Sequence, residues 1–452
     1  MDWIYSKENI KNIYPLSSLQ EGMYFEYSLN PAKKSYIQQV SFDLLGIFYE
    51  KRFNRTLNAI FKRHDVLRTV FINKKGSKPL QVVLREVEVS FSYKNILDIN
   101  NLDDEVNNIM SAQRDRTFDL SKGPLFRAFV VQKGRERYTI IFTFHHIILD
   151  GWSLFKVLNE IMFLYGTDEK LLDTPEPFSK FIKWVNDKNH SASINFWEER
   201  LKGLKMPSVI PKVEGAEGIF LRKHSDLVLN AHTTDRINLY SCTYNITPFI
   251  FLITCWSYLL SRFNRVNDVV LGAVTSCRDH QGISGLSSVI GLTMNTIPFR
   301  VKFDENVSFN QTVKIVQEYY LESLNHSYIR LSEVQAKTSL KNRLFDHVFV
   351  FENIFWSDVN GLNNNSSIKI EGFKNVEYNH YDFEVNVIPD NELLISFIYN
   401  PIKIQSCFVE SINSAFRSII DVILSQKEIL IKNIIKETGQ TEEQREVQVE
   451  SF

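Results

Sequence analysis

Between residues 138 and 165 the hydrophobic period of the chain changes. Tyr138–Phe144 is a β-branched and aromatic run with the composition of a buried strand, whereas Trp152–Tyr165 sets Leu154, Phe155, Leu158, Ile161, Met162 and Tyr165 at helical spacing. Residues 145–151 therefore lie at a seam between strand and helix. Upstream, Tyr36–Leu45 alternates like a strand, and Phe48–His64 has Phe53, Leu57, Ile60 and Phe61 on one helical face. Thr69–Asn73, Leu80–Leu84 and Val87–Tyr93 read as short strands and Asp103–Arg116 as a polar helix; Leu125–Gln132 pairs with Tyr138–Phe144 in a hairpin turning at Lys133-Gly134-Arg135.

The stretch Leu171–Pro177, with Pro175 and Pro177, marks a connection, followed by helices at Phe178–Lys188 and Ala192–Lys202. A long apolar helix, Pro248–Phe263, then precedes strands at Asp268–Ser276 and Thr296–Val301. Helix Phe309–Leu324, strands at His347–Glu352, Ile368–Phe373, Tyr381–Val387 and Leu393–Tyr399, and helix Ile404–Leu424 complete the pattern. The similar order of elements in the two halves predicts two related lobes of mixed α/β (α+β) class, with boundaries at 14–174 and 175–435. Asn363-Asn364-Asn365-Ser366 reads as a loop tip and Lys436–Glu446 as the start of a linker.

Composition narrows the functions. At 452 residues the chain exceeds one ordinary core. A formal net charge of −1 leaves no electrostatic footprint for nucleic acid or an anionic membrane. No apolar run approaches the ~20 residues that span a bilayer, and Met1–Lys7 lacks the basic and apolar sections of a secretory signal, so a cytoplasmic location is expected. Cys242, Cys255, Cys277 and Cys407 are too scattered for a zinc site or a disulfide framework and read as buried thiols.

The chemistry concentrates in His145-His146-Ile147-Ile148-Leu149-Asp150-Gly151. Successive strand residues face opposite ways, so one histidine serves a reaction and the other supports structure; the same geometry disfavours a metal bound by the pair. Asp150 sits where a helix N-cap is wanted, which by itself explains an aspartate. Gly151 is either a small packing residue or an unhindered N–H at a helix N-terminus, suited to an oxyanion.

His145-His146-x-x-x-Asp150-Gly151-Trp152-Ser153 resembles the signature of condensation domains of nonribosomal peptide synthetases. Further stretches resemble other motifs of that family, in order: Tyr14–Met23, Arg63–Phe71, Phe118-Asp119-Leu120 with Gly123–Arg127, Asp268–Ser276 leading to Arg278, Gly291-Leu292 with Asn295–Pro298, and Phe345–Asn353. The resemblance implies two chloramphenicol-acetyltransferase-like lobes in a V-shaped pseudo-dimer, with a tunnel between them. Two peptidyl carrier proteins would each deliver a phosphopantetheine thioester, and the donor acyl group would pass to the α-amine of the acceptor. No directly bound cofactor and no metal is expected.

Carried onto this chain, the resemblance makes His146 the catalytic histidine and Gly151 the donor of an N–H near the reacting carbonyl. His145 is structural. Asp150 would be held by Arg278 from the other lobe, although Arg278 also reads as a surface cation in a Gly/Ser-rich loop. Trp152, Ser153 and Asn295 would line the tunnel, a turn role before Pro298 being the alternative for Asn295. Gln20-Glu21-Gly22-Met23 and Ile148-Leu149 resemble the subtype joining a D-configured donor to an L-configured acceptor. Epimerization, ester formation and non-catalytic recruitment are the alternatives within the same fold. Trp3–Ile13 resembles the acceptor half of a docking interface, which would bring the donor carrier from a separate upstream synthetase, and Thr441–Phe452 resembles a linker to a downstream adenylation domain. Cys277, Thr293-Met294 and Phe383-Glu384 depart from the family pattern.

Overall fold

The computed structural model describes residues 6–29, 35–73, 77–89, 91–167, 173–213, 215, 222–278, 285–352, 369–376 and 381–437. The elements run β1 (Ile10–Pro15), α1 (Ser18–Leu29), β2 (Ile37–Leu45), α2 (Glu50–Arg63), β3 (Thr69–Ile72), β4 (Leu80–Leu84), β5 (Phe91–Asn95), α3 (Leu102–Asp115), β6 (Phe126–Gly134), β7 (Arg137–His145), α4 (Gly151–Thr167) and α5 (Phe178–Asn186). There follow α6 (His190–Leu201), β8 (Lys223–Leu229), α7 (Ala231–Tyr244), α8 (Pro248–Phe263), β9 (Asp268–Ser276), β10 (Met294–Lys302), α9 (Phe309–Leu324), α10 (Leu331–Ala336), β11 (His347–Phe351), β12 (Lys369–Val376), β13 (Phe383–Ile388), β14 (Leu393–Tyr399), α11 (Ser406–Ser425) and α12 (Ile431–Glu437).

The chain divides into two compact units that interleave in sequence. One comprises Met1–Lys188, Arg278–Met294 and Phe355–His380; the other comprises Asn189–Cys277, Asn295–Ile354 and Tyr381–Phe452. Both are mixed α/β, as expected. The sequence pattern suggests one contiguous break at the prolines, whereas two later segments return to the first unit. Local periodicity carries no information about such returns.

In the first unit a five-stranded sheet runs β12-β2-β7-β6-β5. β2, β7 and β6 are antiparallel, and β5 joins β6 in parallel. β7 is buried from Tyr138 to His145, which accounts for its run of β-branched and aromatic residues rather than an alternation. A smaller sheet, β1-β4-β3, contains Ile10–Ile13, so part of the segment expected to dock a partner is paired with β4. Trp3 of that segment, the loop tip at 363–366 and the linker beyond 437 lie outside the described residues. Helix α1 opens with a capping box: the Gln20 amide donates to Ser17 Oγ at 3.3 Å and the Ser17 amide to Gln20 Oε1 at 2.9 Å.

In the second unit a six-stranded sheet runs β10-β9-β11-β13-β14-β8. Helix α8 is buried on all sides from Phe249 to Ser261, as an apolar helix at the centre of a large core must be. The outer edge of β8 is covered by α11: Asn413 donates to the Asp226 carbonyl at 3.0 Å and Arg417 to the Val228 carbonyl at 3.3 Å, which blunts the edge against pairing with another chain. Among the described residues no single helix is long and apolar enough to cross a membrane.

Candidate active site

The site lies where β7 ends and α4 begins, within the first unit. His145 is the last residue of β7 and is fully buried. Its Nδ1 accepts the Ile147 N–H at 3.1 Å, so the ring proton sits on Nε2, and the ring makes a T-shaped contact with Tyr27 at 4.5 Å. Burial, then the neighbouring His146, pushes the His145 pKa down to about 3. The ring is held neutral by burial and accepts from the backbone of its own turn.

His146, the residue after β7, is half-buried. Its Nδ1 lies 2.6 Å from the Leu149 carbonyl oxygen. A carbonyl oxygen can only accept, so Nδ1 carries a proton, and in the neutral ring the lone pair lies on Nε2. The backbone of this turn is pinned at several points. The His146 amide donates to the Tyr36 carbonyl at 2.7 Å, the Ile148 amide to the His145 carbonyl at 3.2 Å, and Gln20 Nε2 to the Ile147 carbonyl at 3.0 Å.

Asp150 does cap α4, accepting the Ser153 amide at 2.9 Å through Oδ1, but capping is only part of its work. Its carboxylate is fully buried and forms a two-point ion pair with Arg278, Nη2 to Oδ1 at 3.0 Å and Nη1 to Oδ2 at 2.8 Å. Thr293 adds its amide at 3.0 Å and its hydroxyl at 3.3 Å to Oδ2. Burial pushes the Asp150 pKa up, but the Arg278 charge and these donors outweigh it and hold the carboxyl below its ordinary value.

Arg278 is buried, which removes the reading of it as a surface cation, and it clusters with the same unit as Asp150 rather than with the second lobe where its place in sequence puts it. It also donates to Ser153 Oγ at 2.7 Å and to the Gly291 carbonyl at 3.0 Å, and it lies 4.3 Å over the Trp152 ring. Lys156, one turn along α4, lies 4.2 Å over the same indole. The half-buried Trp152 thus has two cations over its ring.

The amides of Gly151 and Trp152, at the head of α4, have no hydrogen-bond acceptor among the described residues, leaving two aligned donors beside His146 in sequence. Ser153 and Asn295, expected to line a tunnel, have their polar groups occupied elsewhere. The buried Ser153 hydroxyl donates to the Gly291 carbonyl and accepts the Gly291 amide, each at 2.9 Å. Asn295 is buried in the second unit and donates to the carbonyls of Ser327 at 2.6 Å and Ile329 at 2.7 Å, bracing that segment. Sequence reasoning missed the roles of Thr293, Gly291 and Tyr36. The signal for Thr293 was its departure from the family pattern: a threonine there places a hydroxyl on Asp150.

Gly291 has φ +150°, and an added Cβ would run into the Phe178 ring. Gly291→Ala is expected to destabilise the first unit by about 1–3 kcal/mol through overpacking, measured by urea unfolding. An unchanged midpoint would show that Phe178 moves aside freely.

Comparison with known proteins agrees with this geometry. The family model described as the condensation domain matches residues 10–444. Bacitracin synthase 3 of Bacillus licheniformis is 29% identical over 435 residues, covering 95% of this chain and 7% of that protein. Gramicidin S synthase 2 of Brevibacillus brevis is 32% identical, over 95% of this chain and 10% of its own length. The chain therefore spans only a small part of these synthetases. Among solved structures, the starter condensation domain of rhizomide synthetase superposes with a TM-score of 0.76 at 16% identity, over 93% of this chain and 97% of that one.

Proposed function

The chain belongs to the condensation domain family, whose members in nonribosomal peptide synthetases form amides by acyl transfer, and on that premise we propose that it forms a peptide bond between two carrier-bound substrates. The donor is a peptidyl or aminoacyl thioester on the phosphopantetheine arm of one peptidyl carrier protein; the acceptor is the α-amine of an aminoacyl group on another. The amine nitrogen attacks the thioester carbonyl carbon, the C–N bond forms as the C–S bond breaks, and the proton lost by the amine leaves with the donor's thiol.

The observation that carries this reading is the pinned His146 ring. With Nδ1 donating to the Leu149 carbonyl at 2.6 Å, Nε2 is left to receive the amine's proton. Gly151 and Trp152 supply N–H donors for the developing oxyanion, His145, Asp150 and Arg278 support the turn, and Trp152 lines the substrate path. Magnitudes set the division of labour. An α-amine with a pKa near ~8 is already about one-tenth neutral at pH 7, so prior deprotonation is worth only ~1.4 kcal/mol. Alignment of two tethered reactants is worth ~7–11 kcal/mol. The histidine's task is therefore to orient the amine and take its proton as the tetrahedral intermediate forms or collapses.

We assign the donor a D-configured terminal residue. The stretches 20–23 and 148–149 suggest it, and Gln20 of the first donates to the Ile147 carbonyl, one residue before the second. An intact-mass assay tests the reading. The chain is mixed with a donor carrier loaded with a D- or L-terminated dipeptide and an acceptor carrier loaded with an L-amino acid. The acceptor gains the dipeptide mass, faster with the D-terminated donor. Equal rates would overturn the stereochemical assignment. Deuterium uptake at the donor α-carbon without mass transfer would replace condensation by epimerization.

A further inference from the structure

We propose that Tyr36 is a positioning residue for His146, acting through its main-chain carbonyl. The sequence reads Tyr36 as the first residue of a strand, yet its φ is +66°, a left-handed conformation that is a genuine outlier for a bulky aromatic residue. The β2–β7 ladder runs from Leu45↔Arg137 to Ile37↔His145. One residue beyond its end, Tyr36 turns out of the strand and its carbonyl accepts the His146 amide at 2.7 Å. That bond fixes the peptide plane preceding His146, and so the direction in which its side chain leaves the backbone. The Leu149 carbonyl then fixes the ring about its own axis.

The strained conformation is over-determined by its surroundings, as such residues must be. The Tyr36 side chain is buried, its phenol donates to Glu26 Oε2 on α1 at 2.7 Å, and its ring packs against His145 at 6.2 Å. Glu26 thus holds the phenol, His145 holds the ring, and the carbonyl between them is directed at the catalytic histidine.

This inference rests on the reading of His146 as the reacting base, so the test separates the two. Tyr36→Gly and Tyr36→Ala both delete the ring and phenol and differ by one methyl, but glycine adopts positive φ freely and alanine does not. The carrier assay is run on both, with Tyr36→Asn and Tyr36→Val as a second pair built on the same contrast and His146→Ala as the control. Alanine is expected to fall about tenfold below glycine in kcat, and valine about tenfold below asparagine, with KM for either carrier within about threefold. Long-range 1H–15N spectra of histidine-labelled protein, with the His146 signal assigned by its loss in His146→Ala, should keep the single Nδ1–H form in the glycine and asparagine variants and lose it in the other two. Equal kcat within each pair, or an unchanged His146 signal throughout, overturns the positioning role. Undiminished activity of His146→Ala overturns the functional reading instead.

Discussion

His146→Ala lowers the rate of amide formation by about 10²–10⁴-fold, the range expected when a positioned general base is removed, while the fold survives. The loss is bounded because the amine is already partly neutral and because, on the proposed function, alignment comes mainly from the two bound carriers rather than from this side chain. Stability should change little: the ring is half-buried and contributes one hydrogen bond, to the Leu149 carbonyl, worth about 1 kcal/mol. His146→Asn sharpens the test, since its amide can replace the Nδ1–H donor but offers no basic nitrogen at the position of Nε2. The asparagine variant is therefore expected to be as stable as the wild type and as slow as the alanine variant. Single-turnover transfer between preloaded carriers measures this directly. A rate within about threefold of wild type for either variant would show that His146 takes no proton in the limiting step.

The parts of this site that follow a short period were legible in the sequence. The strand read at Tyr138–Phe144 is β7 with one residue added at each end, and the helix read at Trp152–Tyr165 is α4 with a slightly longer span. The two histidines differ in burial as strand alternation leads one to expect: His145 ends β7 fully buried, and His146 follows it half-buried. The prolines did not mark the whole division of the chain, and β12 pairs with β2 across more than three hundred residues, a pairing set by packing that no window can see. Arg278 was placed beside Asp150 only through the family resemblance; its spacing alone fits a loop cation equally well. Tyr36 failed for the opposite reason: its β-propensity is high and its local pattern is that of a strand, and tertiary contacts with Glu26 and His145 override both. Tyr36 is the failure that falls next to His146, where the fold gives up local preference for geometry.

Arg278→Ala is expected to cost the first unit about 3–5 kcal/mol, more than any other single change considered, because it strands a fully buried carboxylate. Asp150 would keep Ser153 and Thr293 as donors but lose the charge that outweighs its desolvation. The sign of the pH dependence follows. In the wild type the folded pKa of Asp150 lies below its unfolded value, so its contribution is complete above the ordinary carboxylate range and is lost as pH falls through the folded pKa. In Arg278→Ala, burial without the guanidinium raises the folded pKa above the unfolded one, so the variant is penalised most at neutral pH and progressively less as the pH is lowered and Asp150 takes up a proton. His145, held neutral by burial with a pKa of about 3, destabilises both proteins alike below its unfolded pKa near ~6.5, and cancels from the difference. The measurement is urea unfolding of wild type and variant from pH 8 down to pH 5. The gap between them should narrow towards acid. A gap that stays constant across that range would mean that Asp150 remains ionised without Arg278, and that the threonine and serine donors alone suffice to hold its charge. Asp150→Asn combined with Arg278→Leu removes both charges, and is expected to be less destabilised than the sum of the single changes, since neither partner is then left buried and unpaired.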